Sequence, residues 1–267
     1  MDYSRALDAL TQWAQGRDDV RALVLTGSAA AESAHSLSDR DIEVFTTDID
    51  ALLRDESWWS GLGDVLVVER LQDGDGNPTR LIYYAGGKID FTLLPANRLA
   101  GRDYARPFRA LLDKDGLAAT ASLSTPSPQP PSGAEFEESV NWAWAAALMQ
   151  TKAIVRDEPW SAKLRDQDLK AELLRMIEWD HLARHGAGLA TRYLGTRMRQ
   201  WMDTDIQHAL EQCWGGLDGD ASARALLATT DLYRALAKRT ATALDLPQFD
   251  HERVETEMHT ILSLRST

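Results

Sequence analysis

The alternation of apolar and polar positions changes character once along the chain. Up to about residue 120, apolar runs of strand length recur: "RALVLTG" (21–27), "DIEVFTT" (41–47), "DVLVVERL" (64–71), "TRLIYYA" (79–85) and "KIDFTLLP" (88–95). The turn-rich "QDGDGNP" between the third and fourth predicts a hairpin. At the start, Tyr3, Ala6, Leu7, Leu10, Trp13 and Ala14 fall on one face of a helix over 2–15. Further helices are predicted at about 48–60 and 96–112. Beyond residue 134 the spacing is helical throughout, with helices at 134–157, 166–185, about 187–213, 221–244 and 250–264. Gly215–Gly216 and Pro247 are the breaks. Between the two regimes lies "TASLSTPSPQPPSGA" (120–134), which holds four of the nine prolines and can be neither helix nor central strand. The pattern therefore predicts an α+β domain over 1–120, a Pro/Ser-rich linker over 121–134 and a helical domain over 135–267.

Composition adds boundaries to this picture. The 267 residues are 44% hydrophobic and 26% charged, an ordinary globular balance that argues against disorder. A single cysteine, Cys213, excludes an intrachain disulfide and suits a reducing compartment. No apolar run approaches the roughly 20 residues that span a bilayer, and the first helix reads as a packing helix rather than a leader. A cytoplasmic protein with no membrane partner is expected. The net charge of −12 disfavours a nucleic-acid partner, because neutralising phosphates needs a basic face. An acidic surface is usually only solubilising, but it also favours a small cationic ligand.

The chemistry concentrates in "LTGSAAAESAHSLSDRDIEVF" (25–45). Successive strand side chains face opposite ways, so Asp39 and Asp41 share one side while Arg40 points away. A third acid, Asp90, interrupts "KIDFTLL", facing away from Ile89, Phe91 and Leu93. Acids are depleted in central strands and costly to bury unpaired. Side-by-side carboxylates call for a cation, and magnesium takes oxygen ligands that it shares with substrate phosphates. D-x-D alone usually marks a turn or a solvated edge; Gly27-Ser28, D-x-D and a later strand aspartate form a more specific set.

That set, in this order, resembles the nucleotidyltransferase superfamily, and more narrowly the streptomycin-modifying aminoglycoside 6-adenylyltransferases. "WWSGLGDVLVVER" (58–70), "LLDKDG" (111–116), "NWAWAAALMQTKAIVRDE" (141–158) and "LLRMIEWD" (173–180) carry the likeness to about residue 215. The resemblance implies a nucleotidyltransferase-fold mixed sheet with flanking helices, followed by a helical bundle. It also implies magnesium-dependent transfer of AMP from ATP to an aminoglycoside hydroxyl, with release of pyrophosphate, by a monomer or weak homo-oligomer. Gly27 and Ser28 match the phosphate-contacting turn. Asp39, Asp41 and Asp90 match the acids that hold magnesium, two ions being expected, and Lys152 matches a lysine near the triphosphate. Ala29 departs from the pattern, since many relatives carry arginine there.

Chemically, Asp90 is the first choice for the base that takes the proton of the attacking hydroxyl, with Glu178 or Asp180 as alternatives. A guanidinium-bearing acceptor pairs well with carboxylates. Glu178, Trp179 and Asp180 are therefore the candidate acceptor residues, Asp180 first, in a cleft expected between the domains. Of the nine tryptophans, Trp142, Trp144, Trp160, Trp179, Trp201 and Trp214 lie in the helical half and are mostly core by default. "DGDGNP" (73–78) and "DKDG" (113–116) lack the glycine and glutamate of a calcium loop. His181 and His185 sit one helical turn apart but lack the glutamate of a zinc protease motif, which favours ordinary helix positions. A lincosamide acceptor, modification of a protein or nucleic acid, and a silent ATP-binding module are the competing functions.

Overall fold

The computed structural model describes residues 1–31, 35–124, 126–188 and 193–266. The chain forms two compact units, Met1–Pro126 and Ser127–Thr267, which divide within the proline-rich segment.

The first unit opens with α1 (Tyr3–Gln15), capped by the Asp2 carboxylate accepting from the Arg5 amide, and buries Ala6, Leu10 and Ala14 at helical spacing. A six-stranded sheet follows. Its strands are β1 (Val20–Thr26), β2 (Arg40–Thr46), β3 (Val65–Gln72), β4 (Pro78–Tyr84), β5 (Gly87–Pro95) and β7 (Phe108–Asp113), in the order β3-β4-β5-β2-β1-β7. The short helix α2 (Ile49–Arg54) follows β2, and a small pair joins β6 (Asp103–Tyr104) to β8 (Ser122–Leu123). All pairings in the large sheet are antiparallel except β2 with β5, so the sheet is mixed. Leu23, Leu25, Ile42, Val44, Ile89, Phe91 and Leu93 face α1 and the Trp58–Trp59 pair, and burial of this apolar face drives the unit together.

Two helical expectations fail. Residues 96–112 are not one helix: a single 3₁₀ turn at Ala96–Leu99 is followed by β6 and then by edge strand β7. The expected helix 187–213 is interrupted by left-handed backbone at Leu194, Gly195 and Arg197. It resumes as α5 (Met198–Trp201) and α6 (Thr204–Gln212); residues 189–192 of the expected span lie outside the described residues.

The second unit is built on α3 (Gly133–Val155) and α4 (Pro159–His185), with α5, α6, α7 (Gly219–Ala243) and α8 (His251–Ser263). Ser132 and Glu135 form a reciprocal capping box at the start of α3, which removes unpaired donors there. Phe136, Val140, Trp144, Leu173, Ile177, Leu226, Tyr233 and Leu236 interleave into one core. Among the described residues no helix is long and apolar enough to cross a membrane.

Candidate active site

Direct partners across β1, β2 and β5 stack into rows on one face of the sheet. The rows are Ala22–Phe45–Leu94, then Val24–Glu43–Thr92, then Thr26–Asp41–Asp90. The first is apolar and packs with Leu99 and Tyr104. Polarity rises toward the strand ends, where β1 gives way to Gly27. The opposite face at the same positions carries Leu25, Ile42 and Phe91, which fixes the register, because a slip by one residue would bury the acids and expose the core.

The turn at Gly27–Ala29 closes over this polar end. Gly27 has φ of 76°, a conformation that side chains resist, and its amide donates to Pro107 O at 2.8 Å. A Cβ built on Gly27 would lie 3.1 Å from Asp41 Oδ2 and 3.4 Å from an Arg106 guanidinium nitrogen. The turn thus rests directly on Asp41, with half-buried Ser28 next in the chain.

Two cations neutralise the acids. The Lys88 ammonium donates to Asp39 Oδ2 at 3.1 Å and to Asp90 Oδ2 at 2.9 Å, and Arg106 donates to Asp41 Oδ2 at 3.1 Å. The other oxygen of Asp90 is buried and has no hydrogen-bond partner. Burial raises the Asp90 carboxyl above its ordinary value, against the hydrogen bond and charge of Lys88, with Asp41 and Asp39 adding repulsion. Burial opposes the charge on Lys88, yet its bonds to Asp90 and Asp39 outweigh this and raise it, so the ammonium persists. One row further in, Glu43 accepts from Arg102 and from the Tyr104 hydroxyl, each at 2.7 Å. Burial, reinforced by the Glu43 charge, pushes the Tyr104 phenol upward and keeps it a donor.

Sequence reasoning missed Lys88, Arg106 and Glu43 as parts of this cluster. Lys88 and Glu43 were available from the period of two, each standing two residues from an acid on the same strand. Arg106 was hidden by the mistaken helix over 96–112, although Pro107 immediately after it disfavours helix at that position.

The remaining candidates lie in the helical unit. Lys152 is exposed near the end of α3. Glu178 is half-buried on α4, and burial raises its carboxyl despite nearby Arg175. Trp179 packs against the core, tilted toward Phe136 at 6.4 Å between ring centres. Asp180 corrects the expectation that it grips the acceptor. It is 0% exposed, and both oxygens are engaged, Oδ1 by Arg239 at 2.5 Å and Oδ2 by Arg239 at 2.7 Å and Arg184 at 2.9 Å. Such a carboxylate joins α4 to α7 and has no accessible oxygen for a ligand.

Among the described residues, His181, His185 and Asp203 make the one group of metal-ligating side chains with donor atoms all within 4.8 Å of one another; Asp41 and Asp90 on their strands and exposed Asp39, just before β2, are not gathered so closely. The His181 ring is already satisfied on both sides. Its Nδ1 pairs with Ile177 O at 2.9 Å, and its Nε2 accepts from the Asp203 amide at 3.0 Å.

The chain as a whole has counterparts among known proteins. The streptomycin adenylyltransferase family profile matches residues 2–260. The chain belongs to this family. An aminoglycoside 6-adenylyltransferase of Staphylococcus aureus is 28% identical over 65% of this chain and 67% of its own length. That of Campylobacter jejuni is 26% identical over 64% and 65%, and that of Bacillus subtilis 22% identical over 79% and 83%. A solved aminoglycoside 6-adenyltransferase from Bacillus subtilis is 17% identical, covering 96% of this chain and 97% of that chain, with a TM-score of 0.48. Membership in the streptomycin adenylyltransferase family makes the chain a nucleotidyltransferase.

Proposed function

We propose that the protein transfers AMP from ATP to a hydroxyl of a streptomycin-like aminoglycoside in the cytoplasm, releasing pyrophosphate and inactivating the drug. The observation that carries this reading is the Thr26–Asp41–Asp90 row beneath the Gly27 turn, in a chain of the streptomycin adenylyltransferase family.

Magnesium suits these residues by donor type, since carboxylate oxygens are what it binds, and the unpartnered buried oxygen of Asp90 is a ligand position in need of a cation. Asp39, Asp41 and Asp90 would hold it, as one or two ions. When bound, the ion would supply charge neutralisation at the phosphates. Asp90 then takes the proton of the acceptor hydroxyl as its oxygen bonds to the α-phosphorus, and the bond from that phosphorus to the α–β bridging oxygen breaks, releasing pyrophosphate. The Gly27 amide is taken by Pro107, so Ser28 is the residue of the turn that meets phosphate. Lys152 remains our candidate for a second triphosphate contact. For the acceptor, Glu178 replaces Asp180 as the acid that pairs with a cationic group, and Trp179 supports the helix from the core side.

A pyrophosphate-release screen with ATP, GTP, CTP and UTP over aminoglycosides and lincosamides tests the assignment. ATP with an aminoglycoside should react, and Asp41→Asn or Asp90→Asn should lower turnover at least about a hundredfold in folded protein. Glu178→Gln should raise KM for the aminoglycoside and leave KM for ATP nearly unchanged. Reaction with a lincosamide alone would overturn the acceptor, and undiminished turnover in both aspartate variants would overturn the site.

A further inference from the structure

Lys88 occupies the position that a cation shared by Asp39 and Asp90 would take. Its side chain is 16% exposed, lies on the same side of β5 as Asp90, and touches both acids at hydrogen-bond distance. The Tyr83 ring lies 5.2 Å from the ammonium, so an aromatic face supports the charge from a second direction. Arg106 covers Asp41 in a different way: its guanidinium is more than half exposed and can leave into water easily. Lys88 is held; Arg106 is loosely docked. The acids are also not drawn into a close three-ligand group, consistent with two separate cations holding them apart.

Resting on the metal-dependent reading above, we propose that Lys88 is a resident counter-ion that competes with the divalent ion for Asp39 and Asp90. It is a positioning residue that sets how much ion the enzyme needs. Without an ion, the ammonium offsets the mutual repulsion of Asp90 on β5 and Asp39 at the entrance to β2. When an ion enters, the contacts of Lys88 to the two carboxylates must break or lengthen, because a like charge within a few ångströms opposes a divalent ion directly. Removing the Lys88 charge therefore has two opposite effects. It strengthens attraction for the ion and weakens the ion-free fold. A residue that merely packed the strand would show only the second, and a residue that contacted nucleotide alone would show neither.

The test is Lys88→Met, which keeps the length and loses the charge, with Lys88→Arg as the charge-retaining control. Free Mn2+ is counted by electron paramagnetic resonance during titration of the full chain without nucleotide, and melting temperatures are recorded with and without Mg2+. Lys88→Met should bind Mn2+ about tenfold more tightly or better, melt lower than wild type without ion, and gain more on adding Mg2+. Lys88→Arg should keep wild-type affinity. If Lys88→Met does not fold without ion, Lys88→Gln carries the same titration. Equal or weaker binding in the uncharged variants would overturn the competition while leaving the metal reading intact, as would equal tightening in Lys88→Arg. If wild type and all variants bind no ion, with or without ATP, both the metal reading and this proposal fall.

Discussion

Asp180→Asn should damage stability rather than acceptor recognition. Asp180 is fully buried between α4 and α7, while Arg184 and Arg239 remain 26% and 42% exposed along their side chains. Breaking a fully buried ion pair from one side costs about 3–5 kcal/mol, because a charge is stranded without water. Here the stranded groups are the two arginines, which already reach solvent and can turn outward, so the expected cost falls to about 2–3 kcal/mol. Asparagine keeps one acceptor but turns an amide donor toward guanidinium donors, which prevents full recovery. For a unit of this size, roughly 3–4 °C per kcal/mol gives a drop of about 6–12 °C. Tryptophan fluorescence during thermal and urea unfolding of the full chain reads this change, alongside KM values for ATP and aminoglycoside. An unchanged melting temperature combined with a selective rise in KM for the aminoglycoside would refute the reasoning and return Asp180 to the acceptor site.

Gly27→Ala should cost about 1–2 kcal/mol for left-handed backbone. It should lower turnover by more than that loss of stability explains, because the new methyl meets Asp41 at 3.1 Å; wild-type kinetics would contradict the placement of the turn. His251 is buried and accepts from Trp144 Nε1 at 2.9 Å; burial, aided by the Lys238 and Arg234 charges, lowers its pKa from 6.5 to about 4. Its folded form resists protonation while the unfolded chain accepts it. Stability is therefore full above pH 6.5 and falls as pH drops toward 4, by at most about 3 kcal/mol. Urea titrations across that range should show the slope in wild type and lose most of it in His251→Gln.

The contrast between strands and helices explains what was legible. β2, β4 and β5 alternate buried and half-buried positions over most of their length, so "DIEVFTT" and "KIDFTLLP" reveal both the strands and the acids that interrupt them. β7 is an edge strand paired on one side. Its register shifts between Leu23 and Val24, which pair with Leu112 and Ala110, so Leu111 is bulged out of the ladder. The extra residue puts Leu111 and Leu112 side by side and turns a period of two into an apparent helix. Leu194 and Arg197 take left-handed backbone at exposed positions, and apart from Gly195 between them no residue type there announces it. The identity of an acid was visible, but its partner often was not. Asp180 faces Arg239 across 59 positions, a pairing that only the folded bundle reveals.

The parallel pairing of β2 with β5 bears on how the enzyme comes into being. Antiparallel neighbours can zip from a short turn, but these two strands meet only after the chain has laid down α2, the Trp58–Trp59 turn and the β3–β4 hairpin between Thr46 and Gly87. Such distant closure is slow and comes late in assembly. Asp41 and Asp90 are thus apart in any intermediate that lacks β5, although the β1–β2 pair can already place Asp41 beside Thr26. Lys88 enters on β5 too, so the acids and their counterweight come together at the same moment.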